Sequence, residues 1–143
     1  MNLFKKIFLF LFISMFFTSC QEKEIQKTET ITLLETTQSW NGKTIPEFLE
    51  GQPKVSVSKI TIPPKTKLPK HIHPLLTMGV ITKGELTIVD IDNSKTTTIE
   101  AGDALVEVTN TIHYGENRGN EPVEIIVFYV GNETTPTTIL KQN

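Results

Sequence analysis

The stretch Pro69-Lys-His-Ile-His-Pro-Leu-Leu-Thr-Met-Gly-Val-Ile-Thr-Lys-Gly84, answered further on by Asn110-Thr-Ile-His-Tyr-Gly-Glu-Asn117, decides how this chain is read. All three of its histidines, His71, His73 and His113, fall in these two pieces. Residues two apart on a strand share a face, so His71 and His73 present two imidazoles side by side. A third imidazole from a later strand closes a metal site if the fold brings the strands together. Neutral imidazole is a ligand for zinc, iron, copper and nickel.

Outward from these pieces the chain reads as strands. Short runs of Thr, Val and Ile are broken by Gly, Pro, Asn and Asp. Thr30 to Thr36 is the first expected strand, Trp40-Asn-Gly-Lys43 a turn, and Ile45 to Gly51 an irregular connection. Val55 to Ile62 alternates cleanly until Pro63-Pro64 stops it. His71-Ile-His73 begins another strand, and Gly79 to Gly84 leads into Glu85 to Ile91. Asp92-Asn-Ser94 turns the chain into Lys95 to Glu100, and Ala101-Gly-Asp103 turns it into Ala104 to Val108. Asn117 to Pro122 is a loop, and Val123 to Val130 is a near-continuous apolar run expected to be the most buried strand. About eight short strands with no amphipathic helix indicate a single all-β sandwich or barrel. There is no internal repeat, no phosphate-binding glycine pattern, and no serine on a nucleophile elbow.

The first residues read as a targeting signal. Lys5 and Lys6 precede an apolar run from Ile7 to Phe17, too short for a comfortable membrane span but suited to a signal core. Thr18-Ser-Cys20 follows and contains the only cysteine. This order resembles the lipobox of bacterial lipoproteins, with Phe17 where that family usually carries leucine. The resemblance implies cleavage before Cys20 and lipidation of it, hence residence in the cell envelope. Gln21, rather than aspartate, after the cysteine points to the outer membrane, on its periplasmic or surface face. The divisions expected are a signal peptide over 1–19, lipidated cysteine and tether over 20–29, the domain over 30–131, and a polar tail over 132–143. Loss of 1–19 removes six of eight phenylalanines and two lysines, moving the formal charge from −2 to −4. A mildly acidic domain gives no electrostatic reason to expect nucleic acid. With no second cysteine it has no internal disulfide and depends on packing.

The two opening pieces together resemble the paired motifs of the cupin superfamily. His71-Ile-His73, followed by Gly84, is similar to the first motif. Gly102 through His113 to Asn117 is similar to the second, with matching intervals. The resemblance covers about Val55 to Gly131 and implies a double-stranded β-helix, a jelly-roll-like barrel. It also implies that His71, His73 and His113 ligate a divalent transition metal: iron, manganese, zinc, nickel or copper. The family's glutamate ligand falls at Thr77, which is not a normal ligand, and the proline and glycine of its second motif are here Val108 and Asn110. Cupins include dioxygenases and isomerases, sugar-sensing domains and storage proteins, so the fold does not choose an activity. They often pair along sheet edges, which makes a homodimer an open expectation.

Glu107 stands out in Ala104-Leu-Val-Glu-Val108, where an apolar residue is expected. A buried carboxylate needs a metal or a hydrogen-bond donor. Pointing inward, Glu107 is a replacement ligand or an acid/base beside the metal. Pointing outward, it sits on a wet face. Each histidine alone also fits a surface or core role, and Tyr114, Tyr129, Trp40 and Phe48 fit either a pocket lining or plain core. Asn117 reads as a clamp on the loop after His113. The leading reading is a lipid-anchored cupin whose three histidines hold a metal facing a small oxygenated compound. The competing one is a non-catalytic ligand-binding or structural module with no functional metal.

Overall fold

The computed structural model describes residues 27–142. Two units separate along the chain, Met1–Ile31 and Thr32–Asn143. Of the first only residues 27–31 are described, and they are exposed and irregular. The second holds nine strands: β1 (Pro53–Ile62), β2 (His71–Ile72), β3 (Leu76–Lys83), β4 (Glu85–Asp90), β5 (Lys95–Glu100), β6 (Ala104–Val106), β7 (His113–Glu116), β8 (Val123–Asn132) and β9 (Ile139–Leu140).

These strands form two antiparallel sheets in the orders β1-β8-β3-β6 and β5-β4-β7-β2-β9. The longest ladder runs from Pro53 opposite Asn132 to Ile62 opposite Val123. Along β8 the burial alternates. Val123, Ile125, Val127 and Tyr129 are buried, while the residues between them are half-buried. That run is apolar on both faces for a reason. Phe128 faces a shallow outer groove with Met78 and Val80, bounded by Leu33, Leu34 and Phe48. Inside, Ile62, Ile81, Leu86, Ile88, Leu105 and Ile125 form the core between the sheets. Each such side chain contributes roughly 1.5–3 kcal/mol through burial.

Turn chemistry places β6 against β3. Gly102 adopts φ +100°, which glycine reaches without strain, and its N–H donates to the Ile81 carbonyl at 2.8 Å. The expected strand over Thr30 to Thr36 does not form. These residues are exposed and irregular, because no neighbouring strand offers them a ladder. In the segment read as a polar tail, β9 pairs with β2 through His71 opposite Leu140 and Ile72 opposite Ile139.

Candidate metal centre

His71 and His113 stand directly opposite each other on β2 and β7. His73 follows β2 and bridges in parallel to Thr109. The ring centroids of His71 and His113 are 4.4 Å apart, and His73 lies 4.9 Å from His71 and 5.1 Å from His113. One ligand nitrogen from each ring falls within 4.8 Å of the others. Two ligands about 2.1 Å from one ion span up to roughly 4.2 Å, so the cluster is close to the size of a coordination shell.

The hydrogen bonds fix which nitrogens face inward. Nδ1 of His71 lies 2.8 Å from the Pro69 carbonyl, Nδ1 of His113 2.8 Å from that of Thr111, and Nδ1 of His73 2.8 Å from that of Thr137. A carbonyl only accepts, so in the neutral rings Nδ1 carries the proton and Nε2 the lone pair. Backbone carbonyls orient metal-bound histidines in the same way. Nε2 of His113 is buried and has no hydrogen-bond partner among the described residues. A buried nitrogen left unpaired is costly, and a cation would satisfy it. Burial holds all three rings below the ordinary imidazole range, His73 at about 4. For His71 and His73, repulsion from a neighbouring ring adds to this. All three are therefore neutral at pH 7, the form that ligates.

Glu107 points inward, beyond the end of β6, on the same side as the core residue Leu105. Its N–H donates to the Thr77 carbonyl at 2.8 Å, continuing the β3–β6 ladder one step past Met78 opposite Val106. Residues opposite each other in a ladder share a face, and both side chains line the same cavity. The carboxylate oxygen Oε2 of Glu107 lies 3.8 Å from Nε2 of His113, and the indole N–H of Trp40 donates to it at 3.3 Å. Ser39 braces the backbone there by donating to the Glu107 carbonyl at 3.0 Å. Burial pushes the Glu107 carboxyl above its usual range, against the opposing pull of His71 and the Trp40 bond.

The cavity behind the imidazoles holds about 250 Å³. Thr77 and Glu107 join the imidazoles at its polar end, and Ile60, Ile62, Leu86, Ile88, Ile125 and Val127 line much of the rest. Tyr129 reaches it and packs 5.8 Å from the His73 ring. Of the other aromatics, Trp40 touches Glu107, Tyr114 lies under the Lys67 ammonium, and Phe48 is 76 % exposed. Asn117 is buried and clamps its loop, donating to the carbonyls of Ile62, Pro63 and Glu121 and accepting from Gly119. Cys20 lies outside the described residues.

Sequence reasoning did not anticipate the partners of His73 and Glu107. Thr137 lies in a stretch read as a tail, and Trp40, which opens a turn and fits either a pocket lining or plain core, carries no sign of a bond to Glu107. Their only signal in the sequence is a polar-capable group far along the chain.

The cupin-domain family profile matches residues 58–129, half of the chain. The chain belongs to the cupin family. This cupin is similar to an oxalate oxidase solved with glycolate, at 25% identity and a TM-score of 0.52, over 60% of this chain and 45% of that one. It is also similar to oxalate decarboxylase of Bacillus subtilis, an enzyme with Mn(II) centres, at 21% identity and a TM-score of 0.51, over 60% and 23%. A third likeness is the polyketide cyclase RemF from Streptomyces resistomycificus, at 15% identity and a TM-score of 0.53, over 62% and 61%. The match thus spans less than half the length of the two oxalate enzymes. No curated protein matches the chain. With three convergent imidazoles in a cupin barrel, the site is one for a divalent metal of unspecified identity.

Proposed function

We propose that this cupin is an envelope lipoprotein whose centre comprises His71, His73, His113 and Glu107, and that it binds a small oxygen-bearing molecule at the metal. The observation that carries the reading is the set of three Nδ1–carbonyl bonds, which leaves three Nε2 lone pairs converging where that of His113 has no other partner. Glu107 replaces the carboxylate missing at Thr77 by entering from the opposite strand of the ladder. Its separation of 3.8 Å from the His113 nitrogen is within what one ion bridges. The non-catalytic alternative drew its support from Thr77, and the inward position of Glu107 weakens that support. A bound divalent ion supplies Lewis acidity, polarising an oxygen of its ligand. Trp40 holds the carboxylate and Ser39 the backbone beneath it, and the aliphatic wall excludes water. Oxalate chemistry is not part of this proposal, since among the described residues no lysine or arginine lines the cavity to meet a second carboxylate.

A transposition tests the carboxylate. Glu107→Gln is expected to weaken Mn²⁺ or Zn²⁺ affinity about 10–100-fold, and adding Thr77→Glu to recover much of it. Unchanged affinity in the single variant would remove Glu107 from the centre. The anchor is tested separately. Cys20→Ala is expected to move the protein from the membrane fraction to the soluble one, and continued membrane association would contradict lipidation there.

A further inference from the structure

The cavity wall carries information about what it accepts. The three imidazoles, Thr77 and Glu107 gather at one end, the hydroxyl-bearing Tyr129 and Thr138 lie beside His73, and the remainder is mostly aliphatic. Among the described residues that line it there is no lysine or arginine. Lys70 and Lys141 flank the lining residues Pro69, His71 and Leu140 without lining the cavity themselves, and three other lysines are engaged elsewhere. Lys43 donates to Thr111 at 3.0 Å, Lys67 lies 4.0 Å above the Tyr114 ring, and Lys95 donates to the Asn41 carbonyl. Besides the imidazoles, the ionisable side chains among its lining residues are Glu107 and Tyr129, neither of them a cation.

A second anionic group on a ligand would therefore meet Ile88, Ile125 and Val127, with nothing to pair it. Burying an unpaired carboxylate against hydrocarbon is far more costly than burying a methyl group, which gains from the same surroundings. A divalent ion and one carboxylate ligand leave a single net positive charge, which one anionic oxygen neutralises. The space is that of about eight waters, enough for a short-chain or single-ring molecule.

We infer that this site selects a neutral or singly charged molecule with one oxygen donor at the metal end and an apolar body, and rejects compact dianions. The inference rests on the metal-centre reading for its head-group contact, while its selectivity comes from the wall alone.

Butanoate and succinate make a matched pair of probes, equal in chain length and differing at the far end in methyl against carboxylate. Their binding is measured calorimetrically on the Mn²⁺-loaded and the chelator-treated protein, with metal content determined on the same samples. Butanoate is expected to bind at least about tenfold more tightly than succinate. Leu140, exposed at the cavity rim on β9, offers a site for a cation without disturbing the core, and Leu140→Lys is expected to narrow the ratio. Succinate binding as tightly as butanoate to the wild-type protein, or no binding of either acid, overturns the inference. Failure to take up metal would sink the centre instead, and the ratio on metal-free protein would then decide the selectivity on its own.

Discussion

Replacing Glu107 by glutamine is expected to strengthen the metal-free fold while weakening the metal site. Burial raises the Glu107 carboxyl above its ordinary value of 4.5. A carboxyl raised in this way destabilises the fold at pH 7, where the unfolded chain ionises it, by about 1.36 kcal/mol for each pH unit of the rise. Glutamine has the same shape, keeps an oxygen for the Trp40 N–H and carries no such cost. It adds an amide donor needing a partner, worth about 1 kcal/mol against it. The variant is therefore expected to gain on the wild type as pH rises from about 4 toward 7. Its pH dependence follows from the direction of the shift. A folded-state value above the unfolded one leaves stability intact below about pH 4.5 and erodes it as pH rises toward the folded value. Near pH 4 the variant should be the less stable by about 1 kcal/mol, and the difference should move in its favour toward pH 7. Urea unfolding followed by circular dichroism, with chelator present, measures this at several pH values. A variant less stable than wild type at pH 7, by an amount that does not change with pH, would refute the reasoning and make Glu107 an ordinary structural residue.

Other consequences are equally open to measurement. In the Glu107→Gln background, metal-free stability should fall as pH drops from 6.5 to about 4, because burial depresses His73 to about 4 and the unfolded chain binds the proton first. His73 alone contributes about 3 kcal/mol to this loss, and a flat profile in chelator would contradict it. Asn117→Ala removes a buried amide that serves three carbonyls and one N–H. It should cost about 2–4 kcal/mol in urea unfolding, and a cost under 1 kcal/mol would mean that water replaces the clamp. Truncation after Pro136 removes β9 and the Thr137 carbonyl that orients His73. It should weaken metal affinity about 10–100-fold with the sheets intact by circular dichroism, whereas unchanged affinity would show that the bond does not position the ring.

The parts of this account legible in the sequence share one property: they depend on local pattern. The His71-Ile-His73 spacing places two imidazoles on one face wherever a strand forms, and alternation over Val55 to Ile62 needs only a neighbour to become β1. Asn117, beside Gly and Asn-rich sequence, signals its own loop. The parts not legible depend on distant partners. Thr30 to Thr36 has strand-forming residues but no ladder to join. β9 is two residues in a Thr-rich segment, too short for any pattern to reveal. The direction of Glu107 was undecidable from alternation because β6 ends at Val106, and only pairing with Thr77 turns the side chain inward.

The central claim is that His71, His73 and His113 hold one divalent ion. Metal content by mass spectrometry, on protein purified without chelator and again after metal addition, tests it most directly when wild type and His113→Ala are run together. The account predicts about one ion per chain in the wild type and almost none in the variant. A wild-type protein that takes up no metal, or a variant that keeps its ion, would contradict it.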